Sequence, residues 1–94
     1  MAAYVIGHIT IKDSQKWAEY RDQVPATVVA WGGQVVFRGR RMAVFSGQHP
    51  FTDTVVIQFP DVGAVQAWHE SAAYQALIPL RNQAADVVLV GYES

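Results

Sequence analysis

His8, Arg38 and Gln58 are the side chains of this sequence whose types and expected positions converge on one piece of chemistry. A histidine titrates close enough to neutrality to accept or return a proton. An arginine carries a permanent cation whose planar fork matches a carboxylate or an enolate. A glutamine adds a neutral donor and acceptor. Beside aliphatic walls, the three would form a ligand-binding set for a small anionic or carbonyl-bearing organic molecule. If a reaction followed, His8 would be the proton acceptor and Arg38 the oxyanion partner. The set suits a phosphate-rich nucleotide poorly, since one arginine and no glycine loop at a helix terminus would face the charge.

Strand alternation is what would bring them together. Tyr4 to Ile11 is rich in Val, Ile and Tyr and reads as a strand; Gln34 to Arg38, Thr54 to Phe59 and Val87 to Tyr92 read as three more. Val5, Gly7, Ile9, Ile11, Val35, Phe37, Val55, Ile57 and Phe59 are uniformly apolar or small and should pack beneath helices. The opposite set is mixed: Tyr4, Ile6, His8, Thr10, Val36, Arg38, Thr54, Val56 and Gln58. Half apolar with a few polar groups is the composition of a pocket wall. With the first and third strands side by side at the centre of the sheet, His8 and Gln58 are expected as neighbours and Arg38 one strand away.

The helices are as legible. Asp13 and Ser14 are capping residue types, and Trp17, Tyr20, Val24, Val28 and Trp31 then recur at helical spacing as one apolar stripe. Pro25 removes the donor to the carbonyl of Arg21, which predicts a kink or an end there. Gly32-Gly33 closes the helix. Gly39-Arg40 reads as a turn or bulge, Met42 to Phe45 as a further short extended piece, and Gly47 to Asp53 as a loop. Asp61 caps a helix carrying Val62, Val65 and Trp68; Ser71 caps a second segment with Ala73, Leu77 and Leu80, interrupted by Pro79. The order β-α-β-β-α-β predicts an α+β, ferredoxin-like antiparallel sheet with helices on one face, in a single domain over residues 1–94.

Most individual residues also have a plain structural role. Arg21 and Arg81 fall on helices as ion-pair partners for Asp22, Asp86 or Glu19. Trp17, Trp31 and Trp68 fall on apolar stripes as core. Tyr74 with Ser71 reads as a helix-joint packing and capping element. Arg40 and Arg41 read as a solvated turn, and Asp13, Asp53 and Asp61 as caps. The three histidines His8, His49 and His69 share no ligand spacing, so no metal is expected. Neither a phosphate loop nor a nucleophile elbow occurs, and no cofactor is expected.

Composition narrows the partners. A chain of 94 residues buries a limited fraction of its surface, and 51% of this one is hydrophobic, which points to a second copy covering part of it. A homodimer is therefore expected. Net charge is −1, which excludes the basic footprint of a nucleic-acid binder. The absence of cysteine removes disulfides, thiolate catalysis and cysteine-ligated zinc. Met1 to Gly7 lacks the basic start of a signal peptide, and no apolar run approaches the roughly 20 residues that span a bilayer. The expectation is a soluble, cytoplasmic protein with no membrane partner.

Nearly the whole chain also resembles the family known as domain of unknown function 1330, within the dimeric α/β-barrel superfamily. The residues that carry the resemblance are Tyr20-Arg21, Val24-Pro25, Gly32-Gly33, Arg38-Gly39, Phe59-Pro60, Trp68, Ser71, Tyr74 and Leu80-Arg81. The chain departs from the family at Ser46-Gly47, where Glu-Gly is usual, and at His69, where an aromatic is common. The resemblance implies the ferredoxin-like fold and a homodimer; it carries no agreed activity. Relatives in the superfamily include cofactor-independent monooxygenases and small isomerase-like enzymes, which gives the alternative to a binding protein: an enzyme using the same cavity. A third possibility is an assembly or stress-related protein with a filled interior, and cavity volume separates it from the other two.

Overall fold

Alternation in the first strand sets the layering. The computed structural model describes residues 2–94; Met1, the first residue of the expected domain, lies outside them. In chain order the elements are β1 (Ala3–Ile11), α1 (Ser14–Val29), β2 (Gln34–Arg40), β3 (Asp53–Phe59), α2 (Val62–Glu70), α3 (Ala72–Gln75), α4 (Ile78–Ala84) and β4 (Ala85–Glu93). The strands lie in the order β2-β3-β1-β4 and every neighbouring pair is antiparallel. Val5, Ile9, Val55, Ile57 and Phe59 are buried with Trp17, Tyr20, Val24, Val28, Trp68 and Tyr74 in one core between sheet and helices.

Trp68 is the centre of that core. It is 1% exposed, with its ring 5.4 Å from that of Phe59 and 4.3 Å from that of Tyr74. An indole N–H needs an acceptor when buried, and Nε1 donates to Thr27 Oγ1 at 3.0 Å. The Thr27 hydroxyl in turn donates to the carbonyl of Val24 at 2.7 Å, so this buried threonine of α1 is satisfied.

Capping follows the expected residues. The Asp13 carboxylate accepts from the N–H groups of Gln15 and Lys16, both at 3.1 Å, and that of Asp61 accepts from Ala64 at 2.8 Å. Ser71 accepts from the Tyr74 N–H at 3.3 Å and donates to the Trp68 carbonyl at 2.6 Å, joining α2 to α3. Helix α1 runs on through Pro25, which sits on its exposed side. It ends with the N–H of Gly32 on Val29 at 3.0 Å and that of Gly33 on Val28 at 3.1 Å, the two bonds of a Schellman ending. Gly32 takes φ +74°, and a Cβ on Gly33 would lie 2.6 Å from Val28 Cγ1 and 2.8 Å from Phe59 Cε1. Helix and sheet approach too closely there for a side chain.

Several expectations are corrected. Met42 to Phe45 forms no strand. Asp53 opens β3 instead of capping an element, and Pro79 stands in the first turn of α4 instead of interrupting a helix. Trp31 lies past the end of α1 and is 40% exposed, so it is not core. The correction with most consequence is in β2. Val35 pairs with Ile57, but Phe37 pairs with Val56 and Arg38 with Val55, leaving Val36 as the extra residue of a bulge. One extra residue reverses the parity of everything after it. Phe37, expected in the core, is turned to the open face and is 55% exposed. Arg38, expected on the open face, is turned toward the helices.

The same register gives the open face a continuous apolar row. Phe37 lies opposite Val56, Val56 opposite Ile6, and Ile6 opposite Val90, so the row crosses all four strands.

Candidate functional site

The helix side of the sheet holds a polar cluster that begins with two tyrosines. The apolar stripe of α1 carries Tyr20 inward, and α3 brings Tyr74 against it; they are 6% and 0% exposed. Their hydroxyls are 2.8 Å apart, and Arg81 of α4 donates from Nη1 to the Tyr74 hydroxyl at 3.0 Å. Burial, then the neighbouring Tyr74 hydroxyl, pushes the Tyr20 phenol far above its ordinary pKa, with the charges of Arg81 and Arg38 opposing part of the shift. Tyr20 therefore stays a neutral hydrogen-bonding group throughout the physiological range.

Arg38 completes the cluster. Its row on the helix side runs through Val55 and Gly7 to Leu89. The side chain is exposed by area, yet partial burial lowers its pKa, and the nearby Arg21 adds to that effect; Tyr20 and Asp22 pull the other way. Among the described residues the ion pairs are Lys12 with Asp86 and Arg21 with Asp22, each at 3.4 Å, and Arg38 belongs to neither. It forms a wall of two adjoining spaces. The inner one, of about 20 Å³, is enclosed by Ile9, Tyr20, Val24, Val55 and Trp68 among others. The outer groove, of about 220 Å³, is lined by Ile9, Trp17, Arg21, Asp53 and Thr54. The first has room for a single water or oxygen atom, the second for a small organic molecule.

His8 and Gln58 are elsewhere. Both project from the open face, but the register pairs His8 with Thr54 and Gln58 with Tyr4. Four residues of strand separate the two positions, roughly 13 Å at about 3.3 Å per residue. His8 Nδ1 has a long contact of 3.5 Å with Thr54 Oγ1, and its ring meets His49 edge-on at 5.0 Å and stacks over Phe51 at 6.0 Å. Gln58 Nε2 reaches the Tyr4 hydroxyl at 3.5 Å. The expected trio on one face is thus not formed: His8 and Gln58 stand apart on the open side, and Arg38 lies on the other. The pairing of His8 as proton acceptor with Arg38 as oxyanion partner goes with it, because the sheet itself separates them.

Arg41 also differs from expectation. Its Nη1 donates to the carbonyls of His49 at 2.7 Å and Phe51 at 3.1 Å, and its backbone N–H to Thr52 at 2.7 Å. Far from being an idle turn residue, it ties down the segment that places His49 and Phe51 around His8. Arg41→Ala should raise amide exchange across residues 42–51 while leaving the exchange of β1 and β3 unchanged. Protection in that segment equal to wild type would show that Arg41 does not hold it.

Tyr20, Tyr74 and Arg81 were read from the sequence as core, helix joint and ion-pair partner. The signal that they form a site was present in one form only: a tyrosine on an apolar stripe brings a hydroxyl that must find a partner when buried. Among the described residues, no group of three or more metal-ligating side chains converges and no helix is long and apolar enough to cross a membrane.

A four-stranded antiparallel sheet with helices on one face, and a polar cluster held between the layers, makes this a ferredoxin-like α+β protein. The chain belongs to the family described as domain of unknown function 1330, whose model matches residues 2–93. No curated protein matches it in sequence. Among solved structures it is similar to a protein of unknown function from Rhodopseudomonas palustris, with TM-score 0.83 and 15% identity, covering 99% of this chain and 82% of that one. A dimeric ferredoxin-like protein of unknown function from Jannaschia sp. CCS1 matches with TM-score 0.78 and 10% identity over 100% of both chains. A cofactor-independent oxygenase from Streptomyces nogalater matches with TM-score 0.69 and 8% identity, over 99% of this chain and 92% of that one. At these identities the likeness is one of fold.

Proposed function

We propose that the protein is a cytoplasmic homodimer that binds a small anionic or carbonyl-bearing organic molecule on the helix side of its sheet. The observation that carries the binding reading is the placement of Arg38. A guanidinium with no ion-pair partner among the described residues, walling a groove beside a buried phenol, is a cation positioned for a ligand. Arg38 keeps the ligand-holding role expected of it, on the opposite face from the one expected. His8 and Gln58 fall on the face that dimerisation would cover. Two features support the dimer: the apolar row Phe37–Val56–Ile6–Val90 on the open face, and Met42 and Phe45, 87% and 89% exposed on the adjoining segment. Contiguous exposed apolar surface of this kind marks an interface. The structures from Jannaschia and from Bacteroides fragilis are described as dimeric, in keeping with it.

Native mass spectrometry of the protein purified from cells should show a dimer carrying a small-molecule adduct. Arg38→Ala should weaken its retention by about 1.5–3 kcal/mol, the range for a charge-assisted hydrogen bond. Wild-type protein that appears only as bare dimer, and that takes up no small carboxylate on titration, would overturn the binding reading.

A further inference from the structure

The direction of the hydrogen bonds around Tyr20 says more about the ligand than the cavity shape does. Arginine has donors and no acceptor, so the 3.0 Å contact has Arg81 donating to the Tyr74 oxygen. Two hydroxyl protons remain for the 2.8 Å bond between Tyr20 and Tyr74. If Tyr20 donated, the Tyr74 oxygen would accept twice, and its own proton, on a fully buried side chain, would have no acceptor among the described residues. That would cost the full desolvation penalty of an unmade bond. With Tyr74 donating to Tyr20, every group behind the pair is satisfied and the bonds run Arg81 to Tyr74 to Tyr20.

One proton is left over, that of Tyr20, a residue that lines the inner cavity. Apart from the Tyr20 oxygen, which accepts from Tyr74, the side chains around that cavity supply no acceptor. Ile9, Val24, Val55, Ile57, Val87 and Leu89 are hydrocarbon, Trp17 and Trp68 carry only donors, and the Trp68 N–H is already given to Thr27. Arg38 is a further donor at the same wall. The Tyr20 phenol remains protonated and the Arg38 guanidinium charged, so neither becomes the missing acceptor. The Tyr20 hydroxyl, the Arg38 guanidinium and the Trp17 N–H are donors at this cavity, and its one side-chain acceptor, the Tyr20 oxygen, already takes the Tyr74 proton, so the set is completed when something brings an oxygen to it.

We propose that the inner cavity is the head-group subsite for a small organic carboxylate, one oxygen of which accepts from Tyr20 Oη–H and from the Arg38 guanidinium. This rests on the binding reading above and names its ligand class. The cavity, at about 20 Å³, admits one oxygen atom and excludes a phosphate. The organic body lies outward along Ile9 and Trp17 in the groove. Asp53 also lines that groove, one of its oxygens accepting from the Thr52 hydroxyl at 2.8 Å; of the two arginines there, Arg21 is paired with Asp22, and Arg38 is the cation that meets the ligand. Tyr74 is a positioning residue: by donating to Tyr20 it aims the Tyr20 proton at the cavity.

Benzoate is a suitable probe, being a monoanion with a flat apolar body, and full-length wild-type protein should bind it saturably by isothermal titration. Tyr20→Phe should raise its Kd about tenfold, which corresponds to 1.4 kcal/mol, and Arg38→Ala by at least as much. With tyrosine labelled at 13Cζ, the Tyr20 resonance of the wild type should move on benzoate saturation, and in Tyr74→Phe that benzoate-induced movement should shrink, a response that a merely structural role would not give. If Arg38→Ala weakens benzoate but Tyr20→Phe does not, and the Tyr20 resonance stays still, the head-group subsite is wrong and the Arg38 reading stands. Wild-type protein that fails to bind benzoate at millimolar concentration overturns the carboxylate assignment; an adduct lost in Arg38→Ala would still separate that failure from failure of the binding reading.

Discussion

Trp68→Ala should unfold the protein at temperatures where the wild type is folded. The indole is the largest fully buried side chain, and it touches both layers: Phe59 of β3 on one side and Tyr74 of α3 on the other. Truncating a buried tryptophan to alanine costs about 3–5 kcal/mol in lost burial and residual cavity. Domains have only about 5–15 kcal/mol in all, and a short chain sits toward the lower end. The change also removes the donor to Thr27, although Thr27 keeps its own bond to the Val24 carbonyl. Trp68→Phe separates the two effects, since it keeps an aromatic ring between the layers and loses the N–H. It should remain folded and lose clearly less than the alanine variant. Urea denaturation at fixed protomer concentration reads both, the concentration being held because a dimer's apparent stability depends on it. A loss below about 1 kcal/mol for Trp68→Ala would mean that the core is organised around other residues, the low end of what any buried large-to-small change costs.

The contrast between Trp68 and Arg38 shows which parts of this molecule a sequence can reveal. Trp68 was legible because helical spacing is local: Val65 and Trp68 fall on one stripe, and the cap at Asp61 fixes where the helix starts. The strands Tyr4 to Ile11 and Thr54 to Phe59 were legible for the same reason, with unbroken alternation that a half-buried strand requires. In β2, alternation holds only while the count of residues is kept. A bulge adds one residue, and nothing in Gln34-Val35-Val36-Phe37-Arg38 marks which one is extra, because each candidate is a good strand residue. The sequence pointed to a bulge or turn a few positions later, at Gly39-Arg40, and so gave Arg38 the wrong face.

The rest of the site was out of reach for a different reason. The Tyr20–Tyr74 bond joins residues 54 positions apart, and only the packed fold puts α1 against α3. Arg41 has backbone carbonyls as its partners, and these have no signature in a string of side chains. Gln58 and His8 were placed correctly on one face, but their separation along it depends on the antiparallel register, which alternation alone does not specify.

In the proposed homodimer, Ile6→Asp should separate the two copies into monomers. Ile6 lies in the middle of the open face, flanked by Val56 on β3 and Val90 on β4, with Phe37 beyond Val56. A partner related by a two-fold axis presents the same surface, so one substitution enters the interface twice. Each new carboxylate would lose its water, and no cation stands on that apolar row to replace it. An uncompensated buried charge costs about 3–5 kcal/mol, against a total that the proposed interface would draw largely from apolar burial. The monomer itself should tolerate the change, because in a single chain Ile6 points away from the helices and the aspartate would face solvent. Val29→Asp is the matched control: Val29 is 68% exposed at the end of α1, and a charge there should leave assembly untouched. Sedimentation equilibrium at micromolar concentration should report about twice 10.4 kDa for the wild type and for Val29→Asp, and about 10.4 kDa for Ile6→Asp. The reverse pattern, with Val29→Asp monomeric and Ile6→Asp dimeric, would put the partner on the helical side.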